Sequence, residues 1–412
     1  MEHMGSKKKY INRLLENSII RALDRNKSVL LLGARQTGKT TLINRLAANF
    51  TVSFIQPTIR QRYEQQPGLL LGEIEALAEQ LNTKPLVVID EIQKIPEILN
   101  VVQDLIDRDI AKFILTGSSA RKLYSGSKIN LLPGRVVSLR LDPLTYLEIA
   151  KINNKIAAAV NLNTSLKELL LYGTLPGVFT VLDSNDKEID LSSYVTTYLE
   201  EEIRAEAVVR NVGFFSRFLH LAASESGNIV NFRKLSQEIG VAHTTIASYY
   251  QILEDCLIAE RIDPLIKSQT RRKLIKTPKY LFFDLGIRRV SALEGIKLPE
   301  TYLGKLFEQF VGLELVRLAR ANNIDHKVKI HFWRDVNGQE VDWVIVKDDL
   351  LIPIEVKLTD KPNLSDIKHL KLFKEEYNNV INAYVVCQTL RKVKLSDGIY
   401  AISWQEIAEL IL

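Results

Sequence analysis

One stretch decides how the rest of the chain is interpreted, namely Gly33-Ala34-Arg35-Gln36-Thr37-Gly38-Lys39-Thr40-Thr41. It has the spacing G-x-x-x-x-G-K-T and follows an apolar run, residues 29–32, that is typical of a buried parallel strand. The glycines allow a tight turn whose N–H groups point at phosphates, Lys39 supplies a positive charge, and Thr40 offers a hydroxyl to Mg²⁺. We expect the following helix to add its positive end. A glycine-containing surface turn is the alternative, but the order strand, loop, helix favours nucleotide binding.

Composition sets the broad class of the protein. A chain of 412 residues is too long for one ordinary core, and its hydrophobic fraction of 46% is that of a folded soluble protein. A formal net charge of +6 permits nucleic-acid binding without requiring it. Cys256 and Cys387 lie far apart in apolar runs, which favours buried thiols over a disulfide and predicts a cytoplasmic protein. No apolar run reaches the about 18 to 20 residues that span a bilayer, so no membrane partner is expected.

Apolar runs alternate with helical patterns through the first third of the chain. Strands are predicted at 52–54, 86–89 and 113–115, and helices at 69–81 and 98–106. This alternation predicts an α/β fold with a doubly wound parallel sheet, in which ligands bind at the carboxyl ends of the strands.

Acidic and hydroxyl side chains follow two of these strands. Asp90 can hold Mg²⁺ through water, and Glu91 can polarise the water that attacks a phosphate. An acidic cap on the next helix is the alternative for this pair. Residues 116–119, Thr-Gly-Ser-Ser, either sense a γ-phosphate or cap a helix.

Several strings together resemble one protein family. Four strings are similar to the AAA-superfamily ATPases of prokaryotes. They are the stretch 33–41, Val-Ile-Asp-Glu-Ile-Gln at 88–93, Leu-Thr-Gly-Ser-Ser at 115–119 and Leu-Pro-Gly-Arg at 132–135. Two later strings resemble the subgroup with a nuclease-like C-terminal domain. They are Asp-Pro-Leu at 142–144 with Glu148, and Tyr-Gly-Thr-Leu-Pro at 172–176. The resemblance implies that Lys39 and Thr40 bind ATP and Mg²⁺, and that Asp90 and Glu91 serve hydrolysis. It also implies that Arg135 is an arginine finger, in its own subunit or in a neighbour of a homo-oligomer; a surface turn residue is the alternative.

The chain is predicted to divide into an ATPase core at 1–140, a helical lid at 141–212, a winged helix-turn-helix at 213–297 and a nuclease-like domain at 298–412. The helix-turn-helix comprises helices at 232–239 and 243–257 around Gly240. Its DNA-facing residues would be His243, Thr244, Thr245 and Ser248, with a basic cluster for phosphates at Arg271, Arg272, Lys273 and Lys276. The alternative is a packing module with a solvated basic edge.

A second constellation lies near the C-terminus. In two strands separated by a turn at 347–349, period two places Glu340 and Asp342 on one face, and Glu355 and Lys357 on one face of the neighbour. Two carboxylates can hold Mg²⁺ or Mn²⁺ against a phosphate, and a lysine can orient the attacking water. This pattern resembles the PD-(D/E)xK nuclease core, which implies that Glu308 on the preceding helix completes the site. Glu340 is a candidate extra ligand.

These patterns together predict an ATP-hydrolysing protein that binds DNA and cleaves it with the second site. The alternative is an ATP-controlled switch whose nuclease-like domain only binds DNA or a protein partner.

Overall fold

The computed structural model of the chain describes residues 10–119, 134–156, 165–199, 212–268, 270 and 272–412. Its strands are β1 Ser28–Leu32, β2 Phe50–Ser53, β3 Leu86–Asp90, β4 Lys112–Gly117, β5 Val136–Arg140, β6 Ala259–Ile262, β7 Lys279–Phe282, β8 Val328–Arg334, β9 Glu340–Lys347, β10 Leu350–Val356, β11 Ala383–Cys387, β12 Val393–Ser396 and β13 Ile399–Ser403. Its α-helices are α1 Glu16–Asp24, α2 Lys39–Ile43, α3 Pro57–Gln65, α4 Gly68–Leu81, α5 Ile98–Asp107, α6 Tyr146–Ile156, α7 Leu166–Tyr172, α8 Pro176–Phe179, α9 Ser184–Ser193, α10 Val212–Ser224, α11 Phe232–Ile239, α12 His243–Asp255, α13 Leu285–Ser291, α14 Glu300–Ala321 and α15 Lys368–Glu376. Within these ranges, no helix has the length and hydropathy needed to cross a bilayer.

Five parallel strands form the N-terminal sheet in the order β2-β3-β4-β1-β5. Alternate residues of β1 enter different cores. Leu30 and Leu32 pack with α4 and α5, whereas Val29 and Leu31 pack with α1 on the other face. The predicted doubly wound parallel sheet is therefore confirmed. Strand β5 was not predicted, because this edge strand is only partly buried and lacks a continuous apolar run.

The helix-turn-helix forms for local reasons visible in the sequence. The Asn231 side chain caps α11 by accepting from the Lys234 N–H at 3.0 Å. Gly240 ends that helix in the left-handed region, with φ of 82°, which is why a glycine occupies the turn. Helix α12 then packs Tyr249 and Tyr250 against α10, and β6 pairs with β7 in an antiparallel sheet.

The C-terminal domain is a six-stranded mixed sheet in the order β12-β13-β11-β10-β9-β8. The long helix α14 packs on one face, where Trp343 fills the space beside Gly312, and α15 packs on the other. A Cβ atom added at Gly312 would meet that indole, whereas nothing lies within 4 Å of one built at Gly304.

The segment between β6 and β7 runs along β8, the outer strand of that sheet. The Leu265 N–H donates to the Phe332 carbonyl oxygen at 2.7 Å, and the Ile275 N–H donates to that of Arg334 at 2.9 Å. Arg272 from this segment pairs with Asp335 at 2.8 Å and with Glu376 at 3.4 Å. Its predicted role in binding DNA phosphates is therefore contradicted, because its charge is already used within the protein. Arg271 lies outside the described residues.

Two candidate active sites

The phosphate loop follows β1 and is held tightly by its surroundings. The Gly33 N–H donates to the Gly117 carbonyl oxygen at 3.2 Å, which places the loop beside the end of β4. A Cβ atom on Gly33 would lie 2.5 Å from the Leu141 carbonyl oxygen, so only glycine fits there. Lys39 is buried, and its Nζ donates to the Gly33 and Ala34 carbonyl oxygens at 2.7 and 3.1 Å.

The start of α2 differs in part from the expectation. Thr40 and Thr41 are exposed at the loop, so the Thr40 hydroxyl is accessible to Mg²⁺. The helix spans only Lys39–Ile43, however, and a helix this short contributes little macrodipole. The N–H groups of the loop and Lys39 are therefore the remaining groups that could bind a phosphate here.

The acidic pair lies at the carboxyl edge of the same sheet. Asp90 is buried and accepts hydrogen bonds from the Thr116 hydroxyl and from the Ser53 hydroxyl, the latter at 3.1 Å. Glu91, with φ of 58°, accepts from the Ser118 hydroxyl at 3.3 Å. The structure thus brings the hydroxyls of Thr116 and Ser118 to the two carboxylates. A helix cap after Ser119 would involve residues outside the described ranges, so that alternative stays open.

Arg135 lies far from this edge in its own chain. Its carbonyl oxygen accepts from the Ser28 N–H at 3.2 Å, which places it at the amino end of β1 and β5. Its side chain pairs with Asp107 at the end of α5. The loop follows the opposite end of β1, so the structure does not bring Arg135 to the phosphates of its own subunit. A role in a neighbouring subunit stays a prediction.

Arg13 connects the loop to the rest of the chain, although it stands in no motif that would mark it in the sequence. The buried guanidinium donates to the Thr37 carbonyl oxygen at 2.7 Å, to the Asp142 carbonyl oxygen at 2.7 Å and to Glu148 Oε1 at 3.0 Å. Arg320 of α14 reaches Asp142 at 3.4 Å. A path of hydrogen bonds from Arg13 and an ion pair between Asp142 and Arg320 therefore connects the phosphate loop to α14.

The second candidate site forms around α14, β9 and β10. Glu308 lies on α14, Glu340 and Asp342 on β9, and carboxylate oxygens of these three residues lie within 4.8 Å of one another. Glu355 at the end of β10 is 94% buried, and its Oε1 accepts from Lys357 Nζ at 2.7 Å. The structure thus gathers all the predicted residues of this site.

The electrostatics of the second site favour a bound cation. Burial, reinforced by Glu308 and Glu355, raises the pKa of Asp342 well above its usual range. Burial also raises the pKa of Glu355, whose Oε2 has no hydrogen-bond partner. Carboxylate oxygens are the donors that Mg²⁺ and Mn²⁺ prefer, so these residues fit such an ion.

Lys279 is a member of this site that sequence reasoning missed. Its Nζ donates to Glu340 Oε1 at 2.6 Å and to Glu308 Oε1 at 3.1 Å. Burial alone would lower the pKa of Lys279, but Glu308 and Glu340 outweigh burial and raise it. A charged residue at the start of the apolar run 279–283 was the available signal, but the partners are distant in sequence.

The second helix of the helix-turn-helix, α12, begins with polar side chains. His243, Thr244 and Ser248 are exposed on α12, and Thr245 is half-buried. The Ser248 hydroxyl already donates to the Thr244 carbonyl oxygen at 3.1 Å. Ile229 bridges to Lys279, which adds a third short strand segment beside β6 and β7.

Three family models match successive parts of the chain. Residues 25–150 match an AAA domain, residues 163–300 a domain of unknown function (DUF8612), and residues 303–407 another domain of unknown function (DUF4143). An uncharacterized protein of Mycobacterium tuberculosis is 28% identical over 353 residues, which are 84% of this chain and 73% of the relative. One of Haemophilus influenzae is 25% identical over 328 residues, covering 77% and 76%.

A solved structure resembles the fold. The Walker-type ATPase PABY2304 of Pyrococcus abyssi has a TM-score of 0.52 at 15% identity, covering 71% of this chain and 98% of that one. The chain therefore contains an AAA-type ATPase domain with a parallel-sheet phosphate-loop core.

Proposed function

We propose that the chain is an ATPase that binds DNA through its winged helix-turn-helix and cleaves DNA with a metal-dependent, PD-(D/E)xK-like C-terminal domain. One observation carries the proposal of cleavage. Carboxylate oxygens of Glu308, Glu340 and Asp342 lie within 4.8 Å of one another. Glu355 adds a further carboxylate beside Asp342, with one oxygen on Lys357 and a buried oxygen that has no hydrogen-bond partner. A surface that had acquired charges for solubility alone would not bury them together.

At the first site, the proposed roles follow the contacts. The loop N–H groups and Lys39 bind the β- and γ-phosphates of ATP, which requires Lys39 Nζ to exchange its carbonyl partners for phosphate oxygens. Thr40 and Asp90 hold Mg²⁺, which offsets the phosphate charge. Glu91 orients the attacking water, and its hydrogen bond from Ser118 fixes the carboxylate.

At the second site, Asp342 and Glu355 would hold a divalent ion, and Glu308 would supply a third carboxylate. Such an ion supplies Lewis acidity to a scissile phosphate. Lys357, held at 2.7 Å from Glu355, orients the attacking water and offsets the charge that develops on the phosphate. The Val356 N–H donates to Asp342 Oδ2 at 2.8 Å and fixes that carboxylate.

DNA as the partner is supported by the order of elements from α10 to β7 and by the formal net charge of +6. Three helices followed by a small antiparallel sheet match a winged helix-turn-helix, and α12 exposes hydrogen-bonding side chains. Because Arg272 is engaged elsewhere, phosphate contacts would come from Lys273 and Lys276, which are exposed.

One preparation tests both activities. We would measure phosphate release from ATP and nicking of supercoiled, linear and single-stranded DNA, with Mg²⁺ or Mn²⁺. Lys39→Ala should abolish ATP hydrolysis, and Glu355→Gln should abolish nicking, whereas Glu375→Gln at an exposed position should change neither. Nicking that survives Glu355→Gln would contradict the assignment of the second site.

A second function is favoured by Lys279. An ammonium already bound to Glu308 and Glu340 suits an ATP-controlled switch whose C-terminal domain binds DNA or a protein without cutting. Wild-type protein that hydrolyses ATP but nicks none of the three DNA forms would support this alternative.

A further inference from the structure

The Lys279 ammonium occupies a position in the acidic site that a metal ion could otherwise occupy. Its Nζ donates one hydrogen bond to a carboxylate oxygen of Glu308, at 3.1 Å, and one to Glu340, at 2.6 Å. These two residues belong to the trio of carboxylates whose oxygens lie within 4.8 Å of one another. A divalent ion on the same oxygens would stand close to the ammonium, and like charges at that distance repel strongly.

The backbone holds Lys279 in this position. Every residue of β7 is buried, Lys279 pairs with Ile262 of β6, and the next residue, Tyr280, stacks on Tyr250 at 4.2 Å between ring centroids. The rings of Phe332 and Trp343 flank Nζ at 4.9 and 5.6 Å. The lysine therefore cannot leave without disturbing the core of the neighbouring unit.

The other side of the site remains suited to a metal. Glu355 is 94% buried, with one oxygen on Lys357 and the other without a partner. Around the site, the carboxylates of Glu308, Glu340, Asp342 and Glu355 face the cationic side chains of Lys279, Lys357 and Arg334. Four carboxylates therefore share three cationic side chains, and the unpartnered oxygen of Glu355 is the place where a further cation can bind.

We propose that the Lys279 ammonium is a resident cation of this site, so that the chain binds one divalent ion, at Asp342 and Glu355, and none between Glu308 and Glu340. The proposal rests on the metal site of the proposed function and makes it a single-metal site completed from outside its own domain. Lys279 lies within residues 163–300, whereas the four carboxylates lie within 303–407, which match a different family.

The test is Mn²⁺ binding to the full chain without nucleotide, measured by calorimetry. Wild type should bind one ion. Lys279→Met should bind a second ion, or bind the first at least about tenfold more tightly, because a repelling charge is removed. Lys371→Met makes the same charge change at an exposed position of α15 and should bind Mn²⁺ as wild type does. Lys279→Met should also melt at a lower temperature in chelator, and Mn²⁺ should restore its melting temperature.

Glu340→Gln gives a second measurement that does not require the Lys279 variant to fold. If Lys279 excludes the metal from Glu340, the Mn²⁺ affinity of this variant should stay within about threefold of wild type, whereas Glu355→Gln should lose binding. A loss of tenfold or more in Glu340→Gln, or no gain in Lys279→Met, would overturn the proposal while leaving the metal site in place. No Mn²⁺ binding in any variant would overturn the metal site as well.

Discussion

Arg13 provides the most direct test of how the phosphate loop is supported. Its guanidinium is buried and donates to three acceptors on different elements, the carbonyl oxygens of Thr37 and Asp142 and the carboxylate of Glu148. Arg13→Met keeps much of the apolar stem and removes the charge. It therefore leaves a buried carboxylate and two buried carbonyl oxygens without this donor.

The magnitude follows from these contacts. A hydrogen bond to a charged group contributes about 1.5 to 3 kcal/mol, but neighbouring bonds are not additive. Removing one member of a buried ion pair costs about 3 to 5 kcal/mol, and we expect the free energy of unfolding to fall by this amount. Because Thr37 belongs to the loop, we also expect ATP affinity to fall about tenfold, or about 1.4 kcal/mol.

Two measurements check this prediction: urea unfolding, and titration with a fluorescent ATP analogue. Arg13→Lys should recover only part of the loss, because a lysine has one nitrogen for acceptors that lie in three directions. Arg21→Met, at an exposed position of α1, is the matched control. The reasoning would be refuted if Arg13→Met bound the analogue as tightly as wild type and unfolded at the same urea concentration.

Three further changes have defined outcomes. Lys39→Ala should lose ATP hydrolysis while its unfolding stays close to wild type, and undiminished turnover would reject the loop assignment. Glu91→Gln should keep ATP affinity within about threefold but slow hydrolysis at least about a hundredfold, as measured by single-turnover phosphate release. Burial raises the pKa of Glu314 to about 7, so the folded protein keeps a proton that the unfolded chain releases. The contribution of Glu314 to the free energy of unfolding is fully present below pH 4.5, the usual pKa of a glutamate. It is lost as the pH rises to about 7, and the total loss is up to about 3 kcal/mol. Glu314→Gln should remove that pH dependence in urea unfolding and be more stable than wild type at pH 8, whereas Glu300→Gln, which is exposed, should not.

The sequence predicted the elements with strong local signals. Five elements lie within one or two residues of their predicted ranges, namely helices α4, α5 and α11 and strands β3 and β4. Buried parallel strands form continuous apolar runs, helices have a helical apolar spacing, and a cap and a glycine mark the ends of α11, so local patterns suffice there. The gathering of Asp342, Glu355 and Lys357 was likewise predictable from period two in neighbouring strands.

The residues that sequence reasoning missed have partners distant in sequence. Arg13 lies 135 positions from Glu148, and Lys279 lies 61 positions from Glu340. Neither residue stands in a motif with those partners, and only the packing of whole elements brings them together. Arg272 was misinterpreted for the same reason, because Asp335 and Glu376 neutralise it across 63 and 104 positions.

The segment between β6 and β7 also pairs with the C-terminal end of β8, the outer strand of the C-terminal sheet. Without it, the N–H and C=O groups at that end would be open to pairing with another chain. A fragment that began at residue 298, the predicted domain boundary, would lose this cover together with Lys279. We therefore expect such a fragment to aggregate through β8, so the unit that stays soluble must extend upstream to include residues 264–282.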